Sequence, residues 1–208
     1  MEKPEAACLF LNGNVPDTAV LQQYCGNDRL RIAADGAYDY CLQLDFIPDV
    51  LIGDMDSIKS RPTSGTGELI HDPSISISDL EKCLRYCSKH GIADLHVFGA
   101  DGKQLDHFLI NIVTLAQYAA VIRIAVYTKD ELLRFLPAGK YRFQTRKGQR
   151  FSLLALEPVS GLLLEGALFD VADARLQPGS QGLGNSCIGT MLGICFDSGL
   201  LLFMTRLA

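Results

Sequence analysis

Nowhere in the 208 residues does an apolar run approach the ~20 positions needed to span a bilayer, so no membrane-crossing segment is expected. Near the N-terminus only Ala6 to Leu11 is apolar before Asn12-Gly13. That stretch is too short for a secretory leader and reads as a first strand, which predicts a cytoplasmic protein. Basic clusters are missing as well: 19 Lys and Arg against 24 Asp and Glu leave a net charge of -5. Without clustered cations a chain has little with which to neutralise a phosphate backbone, so no nucleic acid or anionic membrane is expected as a partner. A nucleotide substrate is not excluded, because a divalent cation placed between phosphates and carboxylates reverses their repulsion. There is no glycine-rich Walker sequence, which argues against a P-loop nucleotidase. Thiols at zinc-binding spacing are lacking too. The cysteines number seven, an odd count, and most sit in apolar runs, as buried thiols of a reducing compartment do. Cys83 and Cys87 are four apart, but with Leu80 and Leu84 they form the apolar stripe of a helix. No internal repeat is visible.

What is present has ordinary globular proportions, 48% hydrophobic and 21% charged. Up to about residue 128, short apolar runs alternate with helical patterns. Cys8–Leu11, Leu30–Ala34, Val50–Ile52, Leu95–Phe98 and Ile122–Tyr127 read as strands with little polar alternation, the signature of a parallel sheet covered on both faces. Tyr38–Leu44, Asp79–His90 and Asp106–Tyr118 read as helices, and the succession predicts a Rossmann-like α/β domain. Ser78 and Glu81 have capping-box spacing at the start of the second helix, and Gly91 supplies its stop. Between the acidic motifs, 60–74 carries Pro62, Gly65, Gly67 and Pro73 and reads as a mobile surface loop.

From about Lys140 the pattern changes to strands joined by turns. Tyr141–Thr145, Gln149–Leu156, Leu162–Val171, Ser186–Phe196 and Leu200–Thr205 are the expected strands, with Asp197-Ser198-Gly199 as a tight hairpin loop between the last two. The predicted organisation is an α/β domain over 1–132 followed by a smaller all-β sandwich domain over 138–208. The second is marginal for an independent core, so docking against the first domain or another subunit is expected.

The functional expectation comes from where the acids fall. Asp35 follows the strand ending at Ala34; Asp54 and Asp56 follow Val50–Ile52; Asp101 and Asp106 follow Leu95–Phe98; Asn12 and Gly13 follow the first strand. In an open parallel sheet those positions share one edge, beyond the carboxyl ends of the strands, where ligands bind. Asp79 opens a helix that faces the same crevice in this reading. Carboxylates gathered together repel unless protonated or bridged by a cation, and an all-oxygen set favours a hard ion such as Mg²⁺ that also takes substrate phosphates. Lys82, three residues after Asp79, places an ammonium on the same side of its helix. Gly99-Ala100-Asp101-Gly102 offers a small-residue loop that phosphates or a base can approach.

Each motif also has a plainer explanation. Asp35-Gly36-Ala37 suits a strand-to-helix turn, Asp54-Met55-Asp56 suits solvated loop acids, and Asp79 and Asp106 suit helix N-termini. His107 and Asn111, four apart, suit structural hydrogen bonding on one helix face. The joint placement is more telling than any single residue, since independent turns have no reason to put so many acids at one edge. Asp54-Met55-Asp56 alone is also compatible with a nucleotide-sugar transferase, but that reading leaves the β-rich half unexplained.

Taken in order, "ADGAYDY" (34–40), "PDVLIGDMDSI" (48–58), "SDLEKCL" (78–84) and "FGADGKQLDHFLIN" (98–111) resemble the thiamine pyrophosphokinase family. "LNGNVP" (11–16) is similar to that family's opening, and 151–171 to its C-terminal domain. The resemblance implies an α/β ATP-binding catalytic domain, a β-sandwich domain for thiamine binding and dimerisation, and a homodimer with thiamine at the subunit interface. It implies ATP and thiamine as substrates, Mg²⁺, and AMP and thiamine diphosphate as products. Carried onto matching positions, Asp35, Asp54, Asp56 and Asp79 are the metal site, and Asp54, Asp56, Asp79 and Asp106 the catalytic acids. Asn12, Gly13, Asp35, Gly36, Lys82, Gly99, Lys103, Gln104, His107 and Asn111 fall to ATP, and Gly184 and Asn185 to thiamine. Two departures stand out. The family's usual Gly-Arg before its x-Asp-His is Lys103-Gln104 here, and its Ser-Asn in the β domain is Gly184-Asn185. Gln104 cannot supply guanidinium charge to a phosphate, although the adjacent Lys103 offers partial compensation. A ligand-binding relative with weakened catalysis is the alternative that these departures leave open.

Overall fold

The structure, a computed structural model, describes residues 5–15, 17–60, 62 and 65–207. The chain divides into two compact units, Met1–Lys129 and Asp130–Ala208.

The first unit is a parallel sheet. Its strands are β1 (Ala6–Phe10), β2 (Leu30–Ala34), β3 (Val50–Gly53), β4 (Glu68–His71), β5 (Asp94–Phe98) and β6 (Arg123–Tyr127), in the spatial order β6-β5-β1-β2-β3-β4. Every neighbouring pair in that order is parallel. Helices α1 (Thr18–Tyr24), α2 (Tyr38–Gln43), α3 (Asp79–Lys89) and α4 (Leu105–Tyr118) punctuate the sequence. Strands β1, β2 and β3 are almost wholly buried over their apolar residues, because helices and loops cover both faces. The chain winds outward from β1 through β4, then returns to place β5 on the other side of β1. That reversal opens a crevice at the carboxyl ends of the central strands.

Local chemistry accounts for the helix ends. The Ser78 hydroxyl accepts the N–H of Glu81 at the start of α3, and Asp17 accepts that of Ala19 at the start of α1. Helix α3 buries Leu80, Cys83, Leu84 and Cys87, so its two thiols are core groups. At the amino end of β5, Asp94 receives Arg29 at 2.6 Å and Arg123 at 2.8 Å, tying the starts of three strands together. Among the described residues no helix is long and apolar enough to cross a membrane.

The second unit is antiparallel β. Its strands are β7 (Glu131–Gln144), β8 (Arg150–Ala155), β9 (Val159–Glu165), β10 (Val171–Leu176), β11 (Asn185–Ser186) and β12 (Met191–Arg206). The long β12 pairs with β7 along nearly its whole length, with β9 along its first half and with β8 along its second. Leu153, Leu162, Leu164, Leu192, Ile194, Phe196, Leu201 and Phe203 fill the space these strands enclose. The observed fold class is therefore a parallel α/β sheet followed by an antiparallel β unit.

Several elements differ from the sequence-based expectation. The supposed mobile loop over 60–74 contains β4, an edge strand bonded to β3; it lacks a buried face, so no hydrophobic signal announced it. Its residues Arg61, Thr63 and Ser64, like Pro16 of the opening motif, lie outside the described residues. Helix α1 was not expected, since only Leu21 of its seven residues is buried. The span Leu162–Val171 is not one strand; β9 and β10 pair with each other antiparallel across a turn. Asp197-Ser198-Gly199 is not a hairpin. Both flanks pair with the same strand, Phe196 with Gly139 and Leu200 with Pro137, so the extra residues form a bulge within β12. Turn-forming residues suit either outcome, and only the identity of the partner strand decides between them.

Candidate active site

At the carboxyl edge of the parallel sheet, β2 and β3 hand the chain directly to acids. Asp35 is the first residue after β2 and is 1% exposed. Its two oxygens accept the N–H groups of Gly36 (2.6 Å) and Met55 (2.9 Å). Gly53 ends β3 against this carboxyl, where a Cβ would lie 2.5 Å from the Asp35 Cγ, so glycine is required by close approach. Met55 then turns with φ 68°, a left-handed conformation uncommon for a bulky side chain. The turn sets Asp54 and Asp56 on either side of it, and the Asp56 N–H reaches the Asp54 carboxylate at 3.2 Å. Ser57 donates to Asp56 at 2.9 Å.

The result is a cluster. Oxygens of Asp35, Asp54 and Asp56 all lie within 4.8 Å of one another. Burial, then the nearby Asp79 charge, pushes the pKa of Asp35 up to about 6, against the lowering effect of the Gly36 and Met55 N–H groups. Asp54 moves the other way, chiefly because the Asp56 N–H stabilises its ionised form. An all-carboxylate set containing a buried acid that resists ionisation fits a hard divalent cation, whose charge would repay the desolvation. Mg²⁺ fits these donors.

Beside the cluster is a cavity of about 540 Å³ whose wall includes Asp54, Asp79 and Lys82. The Lys82 side chain is 3% exposed, and its ammonium donates to Asp79 Oδ1 and to the Asp72 carbonyl, both at 2.9 Å. Burial presses its pKa down, but the hydrogen bond it donates to Asp79 and the charges of Asp79, Asp72 and Asp54 outweigh it and raise it overall. The opposite wall comes from the ends of β1 and β5: Leu11, Asn12, Gly13, Gly99, Ala100 and Asp101. Gly13 lies so close to the carbonyls of Gly99 and Asp101 that a Cβ would fall on both oxygens. The start of α4 completes the enclosure with Gln104, His107 and Asn111, preceded by Lys103. Asn111 is held by the Ala100 carbonyl at 2.8 Å, and Lys103 donates to Asn12. The first turns of α3 and α4 thus both border the cavity, and the positive ends of their dipoles favour an anion there.

Most residues singled out in the sequence gather here. Asp35 and Gly36 lie beneath the wall, Gly36 packed against the Asn12 side chain. Asp79 stands beside the cluster, paired with Lys82, and is outside the tight group of three acids. Asp106 is not among the residues of the cavity wall; its exposed carboxylate, in the first turn of α4, accepts the His107 N–H at 2.8 Å. Gly184 and Asn185 belong to the second unit. Asn185 brackets Phe169 through two backbone hydrogen bonds and borders a separate, largely apolar cavity of about 260 Å³. The Gly184 N–H is taken by Ser152. Sequence reasoning missed Asp72, which contributes a backbone carbonyl and so leaves no side-chain signature. Ile75 and Ile77, on the wall between β4 and α3, were likewise hidden in what read as a loop.

Asp35 makes the metal-free protein pH-sensitive. Its folded pKa of about 6 lies above the ordinary 3.8, so its contribution to stability is complete below pH 3.8 and is lost as pH rises through about 6. By pH 7 the ionised group costs up to about 3 kcal/mol. Asp35→Asn, which keeps only one of the two acceptor oxygens, is therefore expected to start from a lower stability but to change little between pH 4 and pH 7, whereas the parent loses stability over that range. Added Mg²⁺ should stabilise the parent and not the variant. Parallel curves for the two proteins across this range would refute the assignment.

The fold and site define an α/β protein with an acidic crevice at its strand ends, joined to an antiparallel β unit. A model of the thiamin pyrophosphokinase catalytic domain matches residues 21–126, and the chain belongs to that family. Thiamine pyrophosphokinase 2 of Oryza sativa subsp. japonica is 28% identical, with 84% of this chain and 76% of that one covered. Thiamine pyrophosphokinase of Bacillus subtilis is 25% identical over 91% of this chain and 92% of its own. The crystal structure of the Bacillus subtilis protein superposes with a TM-score of 0.85, covering 98% of this chain and 99% of that one at 20% identity. Yeast thiamin pyrophosphokinase superposes at 0.77, covering 100% and 88% at 17% identity.

Proposed function

We propose that the protein transfers diphosphate from ATP to the hydroxyl of thiamine, yielding thiamine diphosphate and AMP. The observation that carries this reading is the cluster of Asp35, Asp54 and Asp56 beside a cavity holding a buried ammonium, that of Lys82. Those acids, with Asp79 nearby, would hold Mg²⁺, whose charge would offset that of the polyphosphate during transfer. Lys82, held by the Asp72 carbonyl and by Asp79, would donate its remaining N–H to a phosphate oxygen. Asn12, Gly13 and Gly99 would let the triphosphate lie against the backbone. Lys103, Gln104, His107 and Asn111 would flank the nucleotide. In the transfer the thiamine oxygen forms a bond to the β-phosphorus and gives up its proton to solvent, the bond from that phosphorus to the α,β-bridging oxygen breaks, and AMP departs with that oxygen. The residues would act by positioning and charge, the usual means of phosphoryl transfer. Asp106 would shape the start of α4, its carboxylate being engaged with its own helix.

In the same proposal, the α/β unit takes ATP. The β unit, through Asn185 and its neighbours, takes thiamine and pairs with a second subunit in a cytoplasmic homodimer. The test is incubation of purified protein with ATP, Mg²⁺ and thiamine, following AMP and thiamine diphosphate. Equal amounts of both, with no AMP when thiamine is omitted, is the expected result. Tight binding of both substrates without product would instead select the binding-protein reading that Gln104 and Gly184 motivate.

A further inference from the structure

The segment joining β4 to α3 is anchored at both ends and bare in the middle. At one end the Asp72 N–H bonds the Gly53 carbonyl, and the Asp72 carbonyl receives the Lys82 ammonium. The Asp72 side chain also accepts the Ser74 N–H, and Ser74 and Ser76 hydroxyls bond each other at 3.0 Å. At the other end Ser78 caps α3. Between them Ile75 is 97% exposed, yet it is part of the cavity wall together with Ile77. The cavity's other apolar residues, Leu11, Ala34, Leu80 and Ala100, are each at most 5% exposed. Ile75 alone presents a whole branched side chain to whatever enters.

From this geometry we infer that Ile75 is a specificity residue, packing on the base of the bound nucleoside triphosphate. The inference rests on the cavity being a polyphosphate site. With phosphates at Lys82 and the carboxylates, the chain from Asp72 to Ile75 reaches at most about 10 Å from that end. This is the scale on which a nucleotide places its base away from its phosphates. A flat heterocycle needs an apolar cover on one face, and the short anchored strap supplies it with little backbone entropy left to lose. Thiamine's rings are the competing occupant. They are disfavoured because the strap is fastened to Lys82, the group that addresses the triphosphate.

The experiment is equilibrium binding of Mg²⁺-ATP, Mg²⁺-tripolyphosphate and thiamine to the parent, Ile75→Ser and Ile75→Leu. Ile75→Ser is expected to weaken Mg²⁺-ATP about tenfold while leaving tripolyphosphate within twofold, because only the base contact is lost. Ile75→Leu should restore most of the ATP affinity. Equal weakening of ATP and tripolyphosphate would overturn the inference by showing that the strap acts on phosphates. Weakened thiamine with unchanged ATP would overturn it in favour of the other occupant. If the parent binds ATP and tripolyphosphate but Ile75→Ser matches it on every ligand, only this inference fails. If the parent binds neither phosphate ligand, the polyphosphate reading fails with it.

Discussion

Under the proposed function, Asp54→Asn is expected to lower turnover by on the order of 10²–10³-fold while leaving the fold intact, because it deletes a charge that would hold Mg²⁺ at the reacting phosphates and almost no volume. Asp54 reaches the cavity wall, and its hydrogen bond from the Asp56 N–H is to an oxygen that asparagine retains. The turn carrying Met55 at positive φ should therefore survive the change. The loss should be partly recovered at higher Mg²⁺ if Asp35 and Asp56 still offer donors. The measurement is steady-state AMP release across a Mg²⁺ series, beside a thermal unfolding curve. Near-parental turnover from a folded variant would remove Asp54 from the metal site.

Lys82→Met carries the second large effect. The side chain is buried, so methionine fills its space, but the ammonium that joins Asp79 to the Asp72 carbonyl disappears. The acidic crevice then holds its carboxylates without the cation that lies closest to them. An incoming polyphosphate loses a charge-assisted donor and meets stronger repulsion. A drop in kcat/KM for ATP of about 10²-fold is expected, mostly in affinity at low salt. Stability should change much less, since Asp79 is 36% exposed and can rehydrate. A variant that unfolds readily while binding ATP normally would make Lys82 a tether for the Asp72 segment and nothing more.

Much of this site could be read in the sequence because its acids follow recognisable apolar strands. The carboxyl half of Leu30–Ala34 and all of Val50–Gly53 are buried on both faces, so the residues just beyond them had to sit at a sheet edge. Asp35 and Asp54 were placed by that logic. Strand β4 and the Ile75 strap were not, because an edge strand with an exposed face and a polar connector have no hydrophobic period. Asp106 is placed by the same logic just beyond β5, at the start of α4. The helix brings His107 and Asn111 to the cavity wall, while the Asp106 carboxylate accepts the His107 N–H, a detail that chain direction alone does not encode. In the β unit, Asp197-Ser198-Gly199 has turn chemistry, but β7 pairs with both sides of it and turns a supposed hairpin into a bulge.

By itself the sequence determined the buried strands of the parallel sheet, the change to antiparallel β, and the edge where carboxylates collect. These follow from burial periodicity and chain direction, which are local properties. Only the tertiary structure decided that Asp35 is buried with a raised pKa, that Lys82 is held by the Asp72 carbonyl, and that Ile75 stands bare over the cavity. Each of these depends on a neighbour distant in sequence or on the solvent a fold excludes, and no local pattern encodes either.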